Sequence, residues 1–417
     1  MGQPSMDRRP AASPSRENWI GDLARMLAVD TTFPPGTGYL PFAELMEELL
    51  EPLGFDCERV IVPPELWRAE GSHGERVNLL ARRGVGRPVC SIYFHVDTVP
   101  PGEGWTAPPF GLTRRGDRLI GRGAADMKGA VAATLLAIGA ADAAGAPYVF
   151  DPHLLFCTDE EGGKFPGVRY LAQLGLIGGH VLCLNGSAAP RLWAGCFGSV
   201  DVLVTVKGRA AHSGEGIDGV NAIEAATPIL SALLGLKARV ESRISALPAP
   251  PHYEGPLRSR LTLAGVRGGG KGSSVPALCT VLINRRYAPE EDFETVLAEV
   301  EETIASAAGG AGVSVKTEVI GHLTPVVDPD DGPHWPRWQH ALCTGFGFSP
   351  GEFRRWGASS SSDMGFVQAA GRREILLGGL GRSDRHIHAA DEFTTIADVE
   401  ALATAIRHYL TDPPGTP

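Results

Sequence analysis

The 417-residue chain has no apolar run approaching the roughly 18 residues a bilayer span requires, so no membrane segment is predicted. Its opening, MGQPSMDRRPAASPSR, carries basic residues and prolines but lacks the apolar centre of a secretory leader. A loose tail over residues 1–15 and a cytoplasmic location are the expectation. Clustered Lys and Arg are missing too, and a formal charge of −10 with a pI near 5.7 argues against a nucleic-acid surface. Cysteine is sparse: Cys57, Cys90, Cys157, Cys183, Cys196, Cys279 and Cys343 are scattered and form no CxxC pair. They read as reduced, buried and structural, not as a disulfide framework.

What is present is the composition of a folded protein, 43% hydrophobic and 21% charged. The length exceeds one ordinary domain, so two are expected. Apolar residues recur at helical spacing over 19–29 and 42–53. Short apolar runs bounded by Gly and Pro follow at 76–81, 90–96, 153–158 and 181–185, and an Ala- and Leu-rich helix is predicted over 128–144. Strands alternating with helices predict an α/β domain with a mostly parallel sheet. After Gly198 the texture changes: strands are predicted over 200–208, 280–284 and 313–319, and helices over 221–236 and 290–307. This reads as an inserted α+β unit over 199–320. Helices over 338–344, 362–370 and 398–410 and a strand over 374–377 restore the α/β texture. A discontinuous domain of 16–198 and 321–417 is therefore expected.

The chemistry-bearing residues cluster where apolar strands end. In SIYFHVD, His95 and Asp97 share one side at a carboxyl end, the edge where open α/β sheets hold ligands. Asp97 could orient the His95 ring, as carboxylates do for metal-binding histidines, although a lone histidine there is more often a core residue. Asp126 lies in the Gly-rich run GRGAADMKGA before a helix, where a cap is the simpler reading. LLFCTDEEGG sets Asp159, Glu160 and Glu161 side by side at a strand end, where like charges cost stability unless a cation or a catalytic duty holds them. His388 follows a strand and a Gly-rich turn, with His386 before it and Glu392 after it. Together these make the N and O donor set of a hydrolytic zinc, manganese or cobalt site, where the metal lowers the pKa of water to about 7 and a nearby Glu takes its proton.

The runs FHVDTVPPGEGWTAPPFGLTRRGDRLIGRGAADMKG, TDEEGG, GRAAHSGEGIDGVNAI, SSVPALCTVLINRRYAPEE and HIHAADEF occur in one order along nearly the whole chain. In order and spacing they resemble the metallopeptidase family that includes aminoacylase, acetylornithine deacetylase, succinyl-diaminopimelate desuccinylase and carboxypeptidase G. The resemblance implies hydrolysis of an amide next to a carboxylate. It implies two metals bridged by Asp126, with His95 on one, Glu161 and His388 on the other, and Glu160 as general base. It further implies that 199–320 is a lid and homodimerisation domain, that His212 stabilises the oxyanion, often in the partner subunit's site, and that Arg286 holds the substrate carboxylate.

The chain departs from the family pattern beyond the DEE run. Where relatives supply a carboxylate to the His95 metal, HVLCLNGSAAP has none, and Asn185 is the nearest equivalent. A neutral oxygen binds zinc less strongly than a carboxylate, so a weak or empty His95 position and one or two metals per chain are expected. Phe94 and Ser274 stand where relatives commonly have Gly and Asn, which predicts an unusual substrate preference. Three other readings stand beside this one: a non-catalytic ligand-binding member of the same fold, a nucleotide site at GVRGGGKGS, and a serine hydrolase using Ser359–Ser362, although no GxSxG elbow is present.

Overall fold

A computed structural model of the chain describes residues 18–214, 218–251, 253–309, 312–329 and 332–411. The expected tail over 1–15 lies outside them. Its centre is a six-stranded sheet in the order Asp56–Val62, Arg76–Arg82, Asp151–Cys157, Val89–His95, His180–Cys183 and Ile375–Leu377. The last four of these pair in parallel, while Arg76–Arg82 runs antiparallel to its neighbours.

Alternation along each strand explains the layering, since successive side chains point to opposite faces. Ile92, Phe94, Leu154, Phe156 and Leu182 face one core, packed under Asn18–Ala28, Tyr39–Leu50, Lys128–Ala143 and Ile396–Thr411. Tyr93, Leu155, Cys157 and Val181 face the other, covered by Gly167–Gln173 and Met364–Ala369. The helix Lys128–Ala143 is buried on nearly every side because its Ala and Gly residues let Asn18–Ala28 and Ile396–Thr411 approach closely. Phe94 belongs to this core: it is fully buried and stacks on Phe156 at 5.2 Å between ring centres. It therefore does not shape the substrate site, contrary to the sequence expectation.

A second, antiparallel sheet has the order Arg260–Gly268, Leu278–Tyr287, Gly198–Lys207 and Ser314–Leu323. Helices Ala222–Glu241 and Phe293–Ala307 cover one face over a separate core that includes Val200, Val202, Val204, Val281 and Ile283. Asn221 caps the first helix by accepting from the Ile223 and Glu224 amides, and Asp292 caps the second through Thr295 N.

Two edge strands, Asp56–Val62 and Arg260–Gly268, were not predicted. Both expose most of their residues, and the second carries glycines, so neither presents a continuous apolar run. Arg260–Gly268 also disposes of the nucleotide-loop reading, because GVRGGGKGS ends a strand and turns back into Leu278–Tyr287, with no helix following. A small sheet of Val326–Val327, Arg191–Cys196 and Arg354–Ala358 lies where the chain enters and leaves the antiparallel unit. Among the described residues no helix is long and apolar enough to cross a membrane.

Candidate active site

The carboxyl ends of the parallel strands form the floor of a cleft of about 460 Å³, and the antiparallel sheet forms its roof. Asp126, Glu160, Glu161, Asn185 and His388 line the floor, while Ser199, Asp201, Arg286, Gly321 and His322 line the roof.

His95 ends its strand fully buried, with Nε2 2.9 Å from Asp126 Oδ1. Its Nδ1 lies 3.0 Å from the backbone oxygen of Asp97 and 3.9 Å from that residue's Oδ1. The ring is thus oriented by a main-chain carbonyl, which leaves Nε2 as the donor atom. The Asp97 carboxylate instead accepts from Glu161 N at 2.8 Å and so fixes the acidic turn, while its buried Oδ1 has no hydrogen-bond partner among the described residues.

Asp126 comes between the two imidazoles, with His388 Nε2 3.5 Å from its Oδ2 and 3.1 Å from Glu161 Oε1. His388 sits on a turn at φ +65°, a conformation rare for residues with a side chain and common at functional sites. The loop carrying Asp126 is held by Glu392, which the sequence had left without a role. Its buried carboxylate accepts from the amides of Gly123, Ala125 and Asp126 at 2.9–3.0 Å and from Arg122 Nη1 at 2.7 Å. His386, by contrast, is exposed and turns its ring edge to Phe393.

The three adjacent acids do not act as a set. Asp159, at φ +63°, turns down to accept from Arg76 Nε and Tyr39 Oη, both at 2.8 Å. Arg76 is itself sandwiched on Trp67 with 4.0 Å to the ring centre. Only Glu160 and Glu161 face the cleft. Asn185 directs its amide Nδ2 to Glu160 Oε1 at 3.3 Å, so it meets the floor as a hydrogen donor.

Crowding of negative charge governs the protonation states. Burial, with Glu161, Asp363 and Asp126 nearby, pushes the Glu160 carboxyl well above its ordinary range. Burial opposes a charge on His95, yet its hydrogen bond to Asp126 and the surrounding carboxylates raise it well above an ordinary imidazole. His388 is raised by its bonds to Asp126 and Glu161. Protons on two imidazoles thus supply the counter-charge that these acids need, which a divalent cation would supply equally well. Two groups, His95 with Glu160 and Glu161, and Asp126 with Glu161 and His388, each bring their ligand atoms within 4.8 Å of one another. Imidazole nitrogens with carboxylate oxygens suit zinc, manganese or cobalt.

The structure brings His95, Asp97, Asp126, Glu160, Glu161, Asn185, Arg286 and His388 to one region. His212 is not among them: it is exposed on a loop of the antiparallel unit, bridged to Ser274, and is not among the residues lining the cleft. Ser360 and Ser361 line the cleft without bonding a histidine among the described residues, which leaves no nucleophile pair for a serine hydrolase. Arg286 Nη1 donates to Ser361 Oγ at 2.7 Å and joins roof to floor. Asp201 and Asn284 are polar residues that the sequence reading passed over, and Ser361, weighed there only as part of a serine-hydrolase run, bonds Arg286 instead.

A buried His and carboxylate donor set at parallel strand ends, with a further carboxylate beside it, defines a metal-dependent hydrolase. The sequence model of Peptidase family M20/M25/M40 matches residues 91–412, and the chain belongs to that family. It is similar to the succinyl-diaminopimelate desuccinylase of Rhodospirillum rubrum, 32% identical over 410 residues that cover 93% of this chain and 96% of the relative. The corresponding enzyme of Acidiphilium cryptum is 30% identical over 341 residues, covering 79% and 84%. Among solved structures, the di-peptidase Dug1p from Saccharomyces cerevisiae superposes with a TM-score of 0.80 at 18% identity, over 96% of this chain and 97% of that one. Human carnosine dipeptidase 1 gives 0.73 at 18%, over 95% and 96%. The protein is a metal-dependent enzyme that hydrolyses amide bonds, and a non-catalytic role is not favoured.

Proposed function

We propose that the cleft hydrolyses the amide bond of a small carboxylate-bearing substrate, an N-acyl amino acid or a dipeptide, in the cytoplasm. The observation that carries this reading is the unequal use of the acids on the floor. Asp126, Glu161 and His388 bring their donor atoms within 4.8 Å of one another, while buried Glu160, grouped with His95 and Glu161, makes no ion pair among the described residues and accepts from Asn185 at the same cleft.

A divalent cation, with zinc as first choice and manganese or cobalt as alternatives, supplies Lewis-acid polarisation of the scissile carbonyl and acidifies the attacking water. Asp126, Glu161 and His388 would hold it. His95 and Asp126 make a poorer second position, because the amide of Asn185 brings no negative charge there. Glu160 takes a proton from the water and delivers it to the leaving amine. Arg286 receives the substrate carboxylate, a task suited to its planar fork. The unit over 199–320 acts as the lid of the domain formed by 16–198 and 321–417. Because His212 is exposed in its own chain, it is available to the oxyanion in a second copy's cleft, which calls for a homodimer through the lid.

The test is metal content per chain by elemental analysis after dialysis, paired with turnover of N-acetyl amino acids, N-succinyl amino acids and dipeptides with and without zinc, manganese or cobalt. About one tightly held metal with turnover is the expected result. Two would mean that the His95 position is also strong. No metal and no turnover of any member overturns the reading. Light scattering checks the dimer, and a monomer would remove His212 from the oxyanion role.

A further inference from the structure

The four donor residues of the floor are placed by two different means. His95 and Glu161 follow the strands Val89–His95 and Asp151–Cys157, so the central sheet sets where they stand. Asp126 and His388 lie on loops outside any strand or helix, yet His388 Nε2 comes within 3.5 Å of Asp126 Oδ2. Something other than the sheet has to fix that approach, and residues 386–392 contain it. Four positions after His388 the same segment carries Glu392, which is 1% exposed and is not among the residues lining the cleft.

A carboxylate can accept about four hydrogen bonds, and Glu392 accepts four. Oε1 takes the amides of Ala125 and Asp126 at 2.9 and 3.0 Å, and Oε2 takes Gly123 N at 3.0 Å and Arg122 Nη1 at 2.7 Å. Successive amides turned to one point make a cradle of the kind that holds phosphates and other anions, and here the chain fills it with its own side chain. Gly123, at φ +85°, supplies the left-handed bend that the cradle needs. A buried Arg and Glu pair alone would carry no functional weight, since apolar residues often replace one with little loss. What singles out Glu392 is that three of its four donors are amides of the loop bearing Asp126.

The same segment also fastens the loop that follows His95. Arg122 Nη2 donates to the carbonyls of Pro100 and Pro101 at 3.3 Å, and Asp391 accepts from Thr106 N and Oγ1, both at 2.8 Å. Residues 388–392 therefore carry one donor of the floor and hold the backbone of another.

We propose that Glu392 is a positioning residue of the metal centre: it sets the distance between Asp126 and His388, and thereby the affinity and coordination of the ion that these two share with Glu161, without touching ion or substrate. This rests on the metal-dependent reading of the floor and adds to it a residue that donates nothing to the metal.

The test strips the full chain with a chelator and reloads it with zinc or cobalt. Glu392→Gln has nearly the same shape, but its amide NH2 would face donors where an oxygen now accepts them. Chelator competition should show zinc affinity lowered roughly 10- to 100-fold, the scale of losing a group that orients a ligand, and the visible absorption of the cobalt form should change in position or intensity. Glu392→Asp, which keeps both oxygens on a shorter arm, should retain more affinity than Glu392→Gln. A role confined to stability would lower the thermal midpoint of the metal-free protein and leave affinity and cobalt spectrum as in the wild type.

That last result, wild-type affinity and spectrum in Glu392→Gln, would overturn the proposal whatever the thermal midpoint. If Glu392→Gln does not fold, Glu392→Asp decides by the same two readouts. Wild-type protein that binds zinc while both variants bind it equally well loses the Glu392 assignment and keeps the metal-dependent reading. Wild-type protein that binds neither zinc nor cobalt removes both.

Discussion

The floor and the roof of the cleft come from opposite kinds of sheet, and they expose chemistry in opposite ways. The floor uses the carboxyl ends of parallel strands, where His95 follows the buried run SIYF and Glu160 and Glu161 follow LLFC, with Asp126 and His388 added from loops. The roof uses the flank of an antiparallel sheet, where Asp201, Asn284 and Arg286 meet only because two strands pair in a particular register. The floor gathers like charges and so needs a counter-ion, whereas the roof keeps unlike charges apart. A parallel sheet end concentrates one function, and an antiparallel flank can set out a pattern.

Substitutions can break or sharpen that contrast. The largest effect is expected at Glu160, where Glu160→Gln should lower kcat by about 10²- to 10⁴-fold, as loss of a general base does, with metal content unchanged by elemental analysis. Loss of metal in that variant would show that Glu160 belongs to the donor set and that the floor has no separate base. Glu161→Ala should act through the metal instead: titration against a chelator should reveal affinity reduced beyond the roughly 10- to 100-fold typical of outer partners. Retained tight binding would remove Glu161 from the donor set.

On the roof, Arg286→Ala should cut kcat/KM by about 10- to 100-fold, the cost of a lost charged hydrogen bond to substrate, while metal content stays the same. Arg286→Lys should recover little, since an ammonium does not reproduce the planar fork. A full rescue by lysine would mean that only the charge matters there.

The smallest effect concerns stability, and each sheet has its own probe. His180, at the start of a central strand, accepts from Tyr409 Oη at 2.5 Å and stacks on His334, and burial with His334 nearby holds its pKa down to about 3. His322, in the antiparallel sheet, stacks on Phe293, and burial with Arg169 nearby holds its pKa down to about 4. Both folded values lie below the roughly 6.5 of an unfolded histidine. Between about pH 6.5 and 4 the unfolded chain therefore binds protons that the folded chain refuses, so stability is fully present above that window and falls as pH drops through it. Denaturant midpoints measured from pH 7 to 5 should decline, and His322→Phe should flatten the decline. An unchanged slope in that variant would mean that His322 does not contribute.

The legibility of the sequence follows the same division. His95, Glu160 and Glu161 could be read because a polar group just after an apolar strand is a local signal, whereas Asp126 and His388 sit in Gly-rich loops and stood out only through the family resemblance. The layer order and the helix Lys128–Ala143 were readable for the same reason, as long buried runs leave little choice. Asp159 misled, since adjacency in sequence implies three acids acting together, and only its left-handed backbone reveals that it turns to Arg76. Asp97 was placed correctly beside His95 but through the wrong atom, because a backbone carbonyl carries no residue-specific signature. The roof was least legible: register across strands leaves no trace in either strand alone, and the Gly265 irregularity opposite Leu282 disrupts the period that would have revealed Arg260–Gly268.

Glu392 joins segments far apart in the primary structure, reaching back 266 positions to the Asp126 amide. During synthesis from the amino terminus, every donor except His388 leaves the ribosome long before this clasp exists. A nascent chain therefore carries Asp126 on a loop not yet fastened by Glu392, while Glu161 is already held through its amide by Asp97. A polypeptide ending short of this segment would lack the Glu392 clasp and, with it, the helix Ile396–Thr411 that closes the main core.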